Sequence, residues 1–263
     1  MDVRRDAAVD AATRAHFTDR AAQYSGSGEA SLEALLALVD ARPGERVLDV
    51  ATGTGMVLFP LAERVGPSGV AAGVDFTPAM LGAAGQRRAA LPPAERPALI
   101  AAHAAQLPFR AAAFDAVTCR YAVHHFSDAP AGVAAMAAAL RPGGRLVIAD
   151  FVRPDEAAAG DVHDRLEALR GHVFVRIYPR SGLEAMLVAA GCEVVARREA
   201  ERAFRPADLR DGPNVDPANR EALAAAVAAL EAAGGGGFRR RTDDPDGGVR
   251  LVRSDAVLLA VRR

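Results

Sequence analysis

Lysine is absent from this chain of 263 residues, so all 32 of its basic residues are arginine. A Walker-type phosphate loop, a pyridoxal Schiff base and a lysine general base all require the missing amine, and all three are excluded. Cysteine is scarce as well. Cys119 and Cys192 show no CxxC or other metal spacing, and two cysteines in a chain of this length read as reduced thiols of a cytoplasmic protein. The opening stretch MDVRRDAAVDAATRAHF carries charge throughout and lacks the apolar centre of a targeting segment. No uninterrupted apolar run approaches the roughly 20 residues of a membrane span. Net charge is also lacking: the formal value of −1 leaves no electrostatic footprint for nucleic acid or an anionic membrane. The expected partner is a small, roughly neutral molecule, with no nucleic acid and no membrane. The length favours one domain.

What is present is organised around Val47-Leu48-Asp49-Val50-Ala51-Thr52-Gly53-Thr54-Gly55. An apolar strand runs into two glycines, and Met56 to Val65 then carry apolar residues at helical spacing, so the segment reads as strand, tight turn and helix. A turn at Ala51, Thr52, Gly53 and Gly55 lets a ligand approach the main chain, facing the free N–H groups of a helix start. The dinucleotide fingerprint requires a third glycine three residues after Gly55, and Leu58 stands there. NAD is therefore disfavoured. Asp49 would repel a pyrophosphate but suits a ligand with an ammonium group, such as S-adenosylmethionine. Asp75 closes the next strand, 20 residues beyond Gly55, where a carboxylate accepts hydrogen bonds from ribose hydroxyls. Thr77-Pro78 starts a helix, and Phe76 and Met80 are placed to line the adenine.

The motifs VLDVATGTG (47–55), GVDFTPAML (73–81), LPF (107–109), FDAV (114–117) and LRPGGRLVIAD (140–150) occur in order. Together they resemble the class I S-adenosylmethionine-dependent methyltransferases, specifically the small-molecule group related to ubiquinone and menaquinone biosynthesis. The resemblance covers roughly residues 15 to 203. It implies a doubly wound, Rossmann-like α/β fold: a seven-stranded, mostly parallel sheet of order 3-2-1-4-5-7-6 with helices on both faces. It also implies one domain over 1–263, with a helical cap over 1–41 and lid or substrate insertions over 154–180 and 204–248. Tyr24 takes a place near the methionine part of the cofactor by analogy; the alternative is a packing role. Relatives carry Gly-Asp-Ala at the third strand end, the aspartate accepting from the adenine amine, whereas this chain has Ala102-His103-Ala104. Either an unprotonated ring nitrogen of His103 accepts instead, or the contact passes to backbone N–H groups beginning at Ala104.

In chain order, helices are expected over 4–22 and 29–41, separated by a hinge at Ser25-Gly26-Ser27-Gly28. Strands follow over 70–74, 98–102, 114–119 and 145–151. Beyond Pro154, a charged helix over 155–170 and the mixed stretch 171–180 suggest a lid. Ser181 to Glu184 reads as a capping box opening a helix to Ala190. Residues 192–203 and 250–262 read as strands of an antiparallel hairpin, Asp216-Pro217 caps a helix to Ala233, and the glycine-rich, charged stretch 234–248 is expected to be mobile.

Methyl transfer from a sulfonium is a displacement, so alignment and water exclusion dominate. A base is needed when the acceptor is a phenol, enol or acidic carbon. His124 and His125 follow the fourth strand, where doubly wound sheets place their ligands. Adjacent residues on a regular element cannot both face one site. If the segment is helical, His125 shares a face with Tyr121 and is the preferred base, with Arg120 and Tyr121 orienting cofactor or substrate. In the other reading, one histidine packs structurally and the other is solvated. Asp161, His163 and Asp164 spread around a helix axis, which argues against a metal. Neither cysteine follows a proline and no Pro-Pro-Tyr occurs, so base methylation of nucleic acid is disfavoured. A homodimer stays open. The rival reading is a cofactor-binding protein of the same fold with a regulatory or non-methylating role.

Overall fold

The computed structural model describes residues 3–21, 29–169, 176–204, 217–232, 239–241 and 250–263. Tyr24, the hinge at 25–28, Asp216 and most of the stretches 171–180, 204–216 and 234–248 lie outside the described residues.

The strands are β1 (Arg46–Val50), β2 (Val70–Asp75), β3 (Ala98–Ala101), β4 (Phe114–Arg120), β5 (Leu140–Phe151), β6 (Cys192–Phe204), β7 (Arg239–Arg241) and β8 (Arg250–Arg262). The helices are α1 (Val3–Arg20), α2 (Glu29–Val39), α3 (Leu58–Val65), α4 (Pro78–Ala89), α5 (Ala129–Ala139), α6 (Ala157–Leu169), α7 (Arg180–Ala189) and α8 (Arg220–Ala232). The sheet runs β3-β2-β1-β4-β5-β8-β6, with β7 attached to β8. Setting the short β7 aside, this is the expected order 3-2-1-4-5-7-6. The first five strands are parallel, and β8 enters antiparallel to β5 and β6.

The central strands are apolar on both faces because helices cover both. Their period-2 alternation sorts the core into two layers. Leu48, Val50, Val117, Cys119, Leu146 and Ile148 pack with α5 and α7 through Met136, Leu183 and Leu187. Val47, Ala116, Val147, Ala149 and Val257 pack on the opposite face with Leu35 and Val39 of α2 and Leu58 and Leu61 of α3.

Several local expectations are corrected. β5 begins at Leu140, pairing with Phe114 before a register shift that lets Arg145 pair with Ala116. β3 ends at Ala101. The proposed capping box does not form: Pro179 is the N-cap of α7, and Ser181, already inside the first turn, donates its hydroxyl to Asp155. Arg239–Arg241, expected to be mobile, is a strand paired to Arg250–Val252. The loop after β4 is not helical from Tyr121, which has φ of +51°; it contains a single 3-10 turn, Val123–His125.

The packing of α3 on β2 explains how Leu58 is tolerated where a dinucleotide fold needs glycine. The glycine lies on the opposing strand. A Cβ on Gly73 would sit 2.6 Å from Leu58 Cδ2 and 2.9 Å from Thr52 Oγ1. Gly73→Ala is therefore expected to lower stability by about 1–3 kcal/mol in urea unfolding. Combined with Leu58→Ala it should cost less than the two single changes added together. Strict additivity would show that the two residues do not share this space.

Candidate functional site

The carboxyl ends of β1, β2 and β4 converge where the strand order reverses, between β1 and β4, the position at which doubly wound sheets bind ligands. A cavity of about 880 Å³, mouth included, opens there. Its floor is the turn after β1. Ala51, Gly53 and Gly55 have φ of +55°, +54° and +83°. Gly53 has nothing within 4 Å of an added Cβ, whereas a Cβ on Gly55 would strike the Phe59 ring at 2.4 Å. The two glycines thus serve different ends, one leaving room above the turn and the other letting α3 close beneath it.

Asp75 ties this turn to the next one. Gly53 N–H donates to its Oδ2 at 2.9 Å and Thr77 N–H to its Oδ1 at 2.8 Å. Burial raises the Asp75 pKa, although the amides of Thr77 and Gly53 act to lower it. Asp49 is 2 % exposed and accepts from Thr118 Oγ1 at 2.8 Å. Desolvation pushes its pKa up to about 6, eased by the Thr52 and Thr118 hydroxyls and the Arg120 charge and reinforced by Asp75. This carboxylate is set in an environment that penalises its charge and would reward a cationic ligand group.

At one end the cavity is lined by Phe76, Met80, His103 and Ala104. His103 Nδ1 accepts from the Ala105 N–H at 3.3 Å, which leaves the ring proton on Nε2, 3.3 Å from Asp10 Oδ2. At the other end Phe17 meets His125 edge to face, with ring centroids 4.9 Å apart. Arg120, Tyr121 and Phe126 complete that wall.

The two adjacent histidines have separate environments. His124 is 2 % exposed, outside the cavity lining, and its Nδ1 lies 2.5 Å from Asp150 Oδ1 while its N–H donates to Oδ2. His125 lines the cavity. Tyr121 is no candidate base: burial and the neighbouring Asp255 push its pKa up to about 12, and its hydroxyl bonds to Ser31 and Asp255. Among the described residues no group of His, Cys, Asp and Glu has a metal-binding arrangement.

Asp10, Thr13 and Thr54 also line the cavity and carry no earlier expectation. The Thr13 and Thr54 hydroxyls are buried with no hydrogen-bond partner among the described residues. Asp10, Thr13 and Phe17 lie at i, i+3 and i+7, so one stripe of α1 faces the site. That stripe was the available sequence signal, since Phe17 and Ala21, four residues apart, extend the same helical face.

Strand order and cavity position are those of a doubly wound, Rossmann-like α/β fold with its ligand site at the switch point. Residues 47–144 match the family model for a methyltransferase domain. Among curated proteins, a demethylmenaquinone methyltransferase of Beutenbergia cavernae is 42% identical over 122 residues, 46% of this chain and 47% of that protein. Nocamycin O-methyltransferase of Saccharothrix syringae is 36% identical over 163 residues, 52% of this chain and 56% of its own. The chain therefore spans about half the length of the curated relatives it matches. Among solved structures, the YcgJ protein of Bacillus subtilis superposes with a TM-score of 0.73 over 90% of this chain and 99% of its own, at 22% identity.

The Asp49 pKa carries a stability consequence. Its folded value of about 6 exceeds the ordinary 3.8, so the folded state holds the extra proton between these values and stability falls as pH rises through them. Asp49→Asn is expected to stabilise the ligand-free protein above pH 6, by up to about 3 kcal/mol, and to have little effect below pH 4. Urea unfolding at both pH values tests this; an equal effect at both would remove the desolvation argument.

Proposed function

We propose that the protein is an S-adenosylmethionine-dependent methyltransferase acting on O, C or N of a small-molecule metabolite. The buried Asp49, whose charge its neighbours only partly offset, beside the Asp75-clamped glycine turn carries this reading. When bound, S-adenosylmethionine supplies a methyl group on a sulfonium. Asp49 meets its ammonium, and Asp75, with lone pairs left after two amides, accepts from the ribose hydroxyls. The Ala51-Thr52-Gly53-Gly55 turn passes close to the ligand. Phe76, Met80, His103 and Ala104 flank the adenine, with the ring nitrogens of His103 turned towards Ala105 and Asp10.

The single domain carries a helical cap over 1–41, with lid or substrate insertions assigned to 154–180 and 204–248 by sequence, and of the cap it is α1 that lines the cavity. The acceptor enters beside Phe17, Tyr121, His125 and Phe126, a largely apolar and aromatic wall suited to a neutral, flat molecule. His125 is the base for an acceptor that must lose a proton. His124 is a structural neighbour held by Asp150. Two buried cysteines, both free, are consistent with a reducing cytoplasm. Among the described residues no helix is long and apolar enough to cross a membrane.

Calorimetry should show binding of S-adenosylhomocysteine and none of NAD, with Asp75→Ala weakening the former by about 1.5–3 kcal/mol. Binding of NAD alone would overturn the cofactor assignment. Transfer of labelled methyl to product then separates an enzyme from a cofactor-binding protein.

For an acceptor that needs deprotonation, single-turnover transfer should rise with pH as the base sheds its proton, and His125→Ala should abolish the rise and slow transfer roughly 10²- to 10⁴-fold. His124→Ala should instead act on stability, by about 3 kcal/mol or more, because it strands Asp150 in the core. An unchanged rate and pH profile in His125→Ala would leave alignment as the whole mechanism.

A further inference from the structure

Behind the cavity wall, three segments far apart in sequence meet in one hydrogen-bonded chain. Arg120 Nε donates to Ser31 Oγ at 3.2 Å, and Ser31 Oγ donates to the Tyr121 hydroxyl at 2.7 Å. The Tyr121 hydroxyl in turn donates to Asp255 Oδ2. Ser31 lies on α2 and Asp255 on β8. Ser31 and Asp255 are 0% and 2% exposed.

The direction of the chain is set from one end. A guanidinium only donates, so Ser31 must accept from it; its own hydrogen then goes to Tyr121, whose hydrogen goes to Asp255. Each hydroxyl has one proton and each proton is committed. Tyr121 is further held by stacking on Phe151, with centroids 4.4 Å apart at 19°. The Arg120 guanidinium lies 4.5 Å over the Tyr121 ring. An aromatic residue at φ of +51° is strained, and such a conformation persists only where its surroundings over-determine it.

The chain ends at a cavity-lining charge. β1 and β4 are adjacent and in register, Asp49 opposite Thr118, so Arg120 and Asp49 stand on neighbouring strand ends. A carboxylate beside a guanidinium complements an α-amino acid, which carries an ammonium and a carboxylate on one carbon.

We propose that Ser31, Tyr121 and Asp255 are positioning residues for Arg120, fixing its guanidinium to receive the carboxylate of the cofactor's amino-acid end. The proposal rests on the cofactor assignment above. It places the recognition of that end under the control of α2 and the C-terminal strand, neither of which lines the cavity with these side chains.

The test compares S-adenosylhomocysteine with 5′-methylthioadenosine, which has the adenosine and sulfur but no amino-acid end, by calorimetry on the full chain. Ser31→Ala should weaken S-adenosylhomocysteine about tenfold and leave 5′-methylthioadenosine within twofold. Tyr121→Phe, which keeps the ring stack and removes the link to Ser31, should shift the ratio in the same direction. In an Arg120→Ala background, Ser31→Ala should change the ratio no further. A merely structural role would move both ligands equally, and that result, or an unchanged ratio, overturns the proposal. If the unaltered protein binds neither ligand, the cofactor assignment fails, and the proposal with it.

Discussion

The carboxylate of Asp75 receives the Gly53 and Thr77 amides, and the ligand cavity takes its shape from that clamp. It fixes the turn after β1 relative to the start of α4, so backbone N–H groups and the Asp49 carboxylate converge on one volume. Gly73 supports the same arrangement from below by admitting Leu58 and Thr52 against β2. The cost is electrostatic. Two buried carboxylates lie close enough for each to disfavour the other's charge, and burial raises both pKa values. Cavities that hold such groups apart from water are stabilised on meeting complementary charge and hydroxyl donors, so the ligand supplies what the fold withholds.

Local signals made the half of the fold that builds the cavity floor legible in the sequence. Strand periodicity, the glycine turn and the Thr77-Pro78 start depend on neighbours within a few residues, and β1, β2 and α4 follow them closely, whereas the sheet order came from the family resemblance. The histidine pair could not be sorted that way. Which of the two is buried depends on Asp150, 26 residues away in sequence, and on the left-handed Tyr121, which breaks the helical register that was expected. The His103 tautomer likewise depends on an N–H two residues on and on Asp10 from a distant helix. β7 was missed because Arg239 to Arg241 shows no apolar alternation; its strand is defined by pairing to β8 alone. The capping box at Ser181 failed because Pro179 already occupied the N-cap, one turn position earlier than the motif required. Ser31 and Asp255 belong to no motif, since their roles exist only once α2, β4 and β8 are packed.

The contacts that hold α1 across the cavity differ in kind from those beneath it. On one side are the partly exposed His103 and Asp10 pair and Arg14 over the Phe76 ring; on the other is the Phe17 edge against His125. The hydrogen bond between His103 and Asp10, the cation–π contact and the aromatic pair are each weak and partly exposed. The floor, by contrast, is tied by backbone amides to a buried carboxylate in a continuous parallel sheet. Rigidity therefore resides where the ligand must be aligned and softness where it must pass. The division thus puts the polar groups of the cavity on strand ends in the sheet and leaves beside its mouth a helix whose contacts with the cavity wall are individually weak.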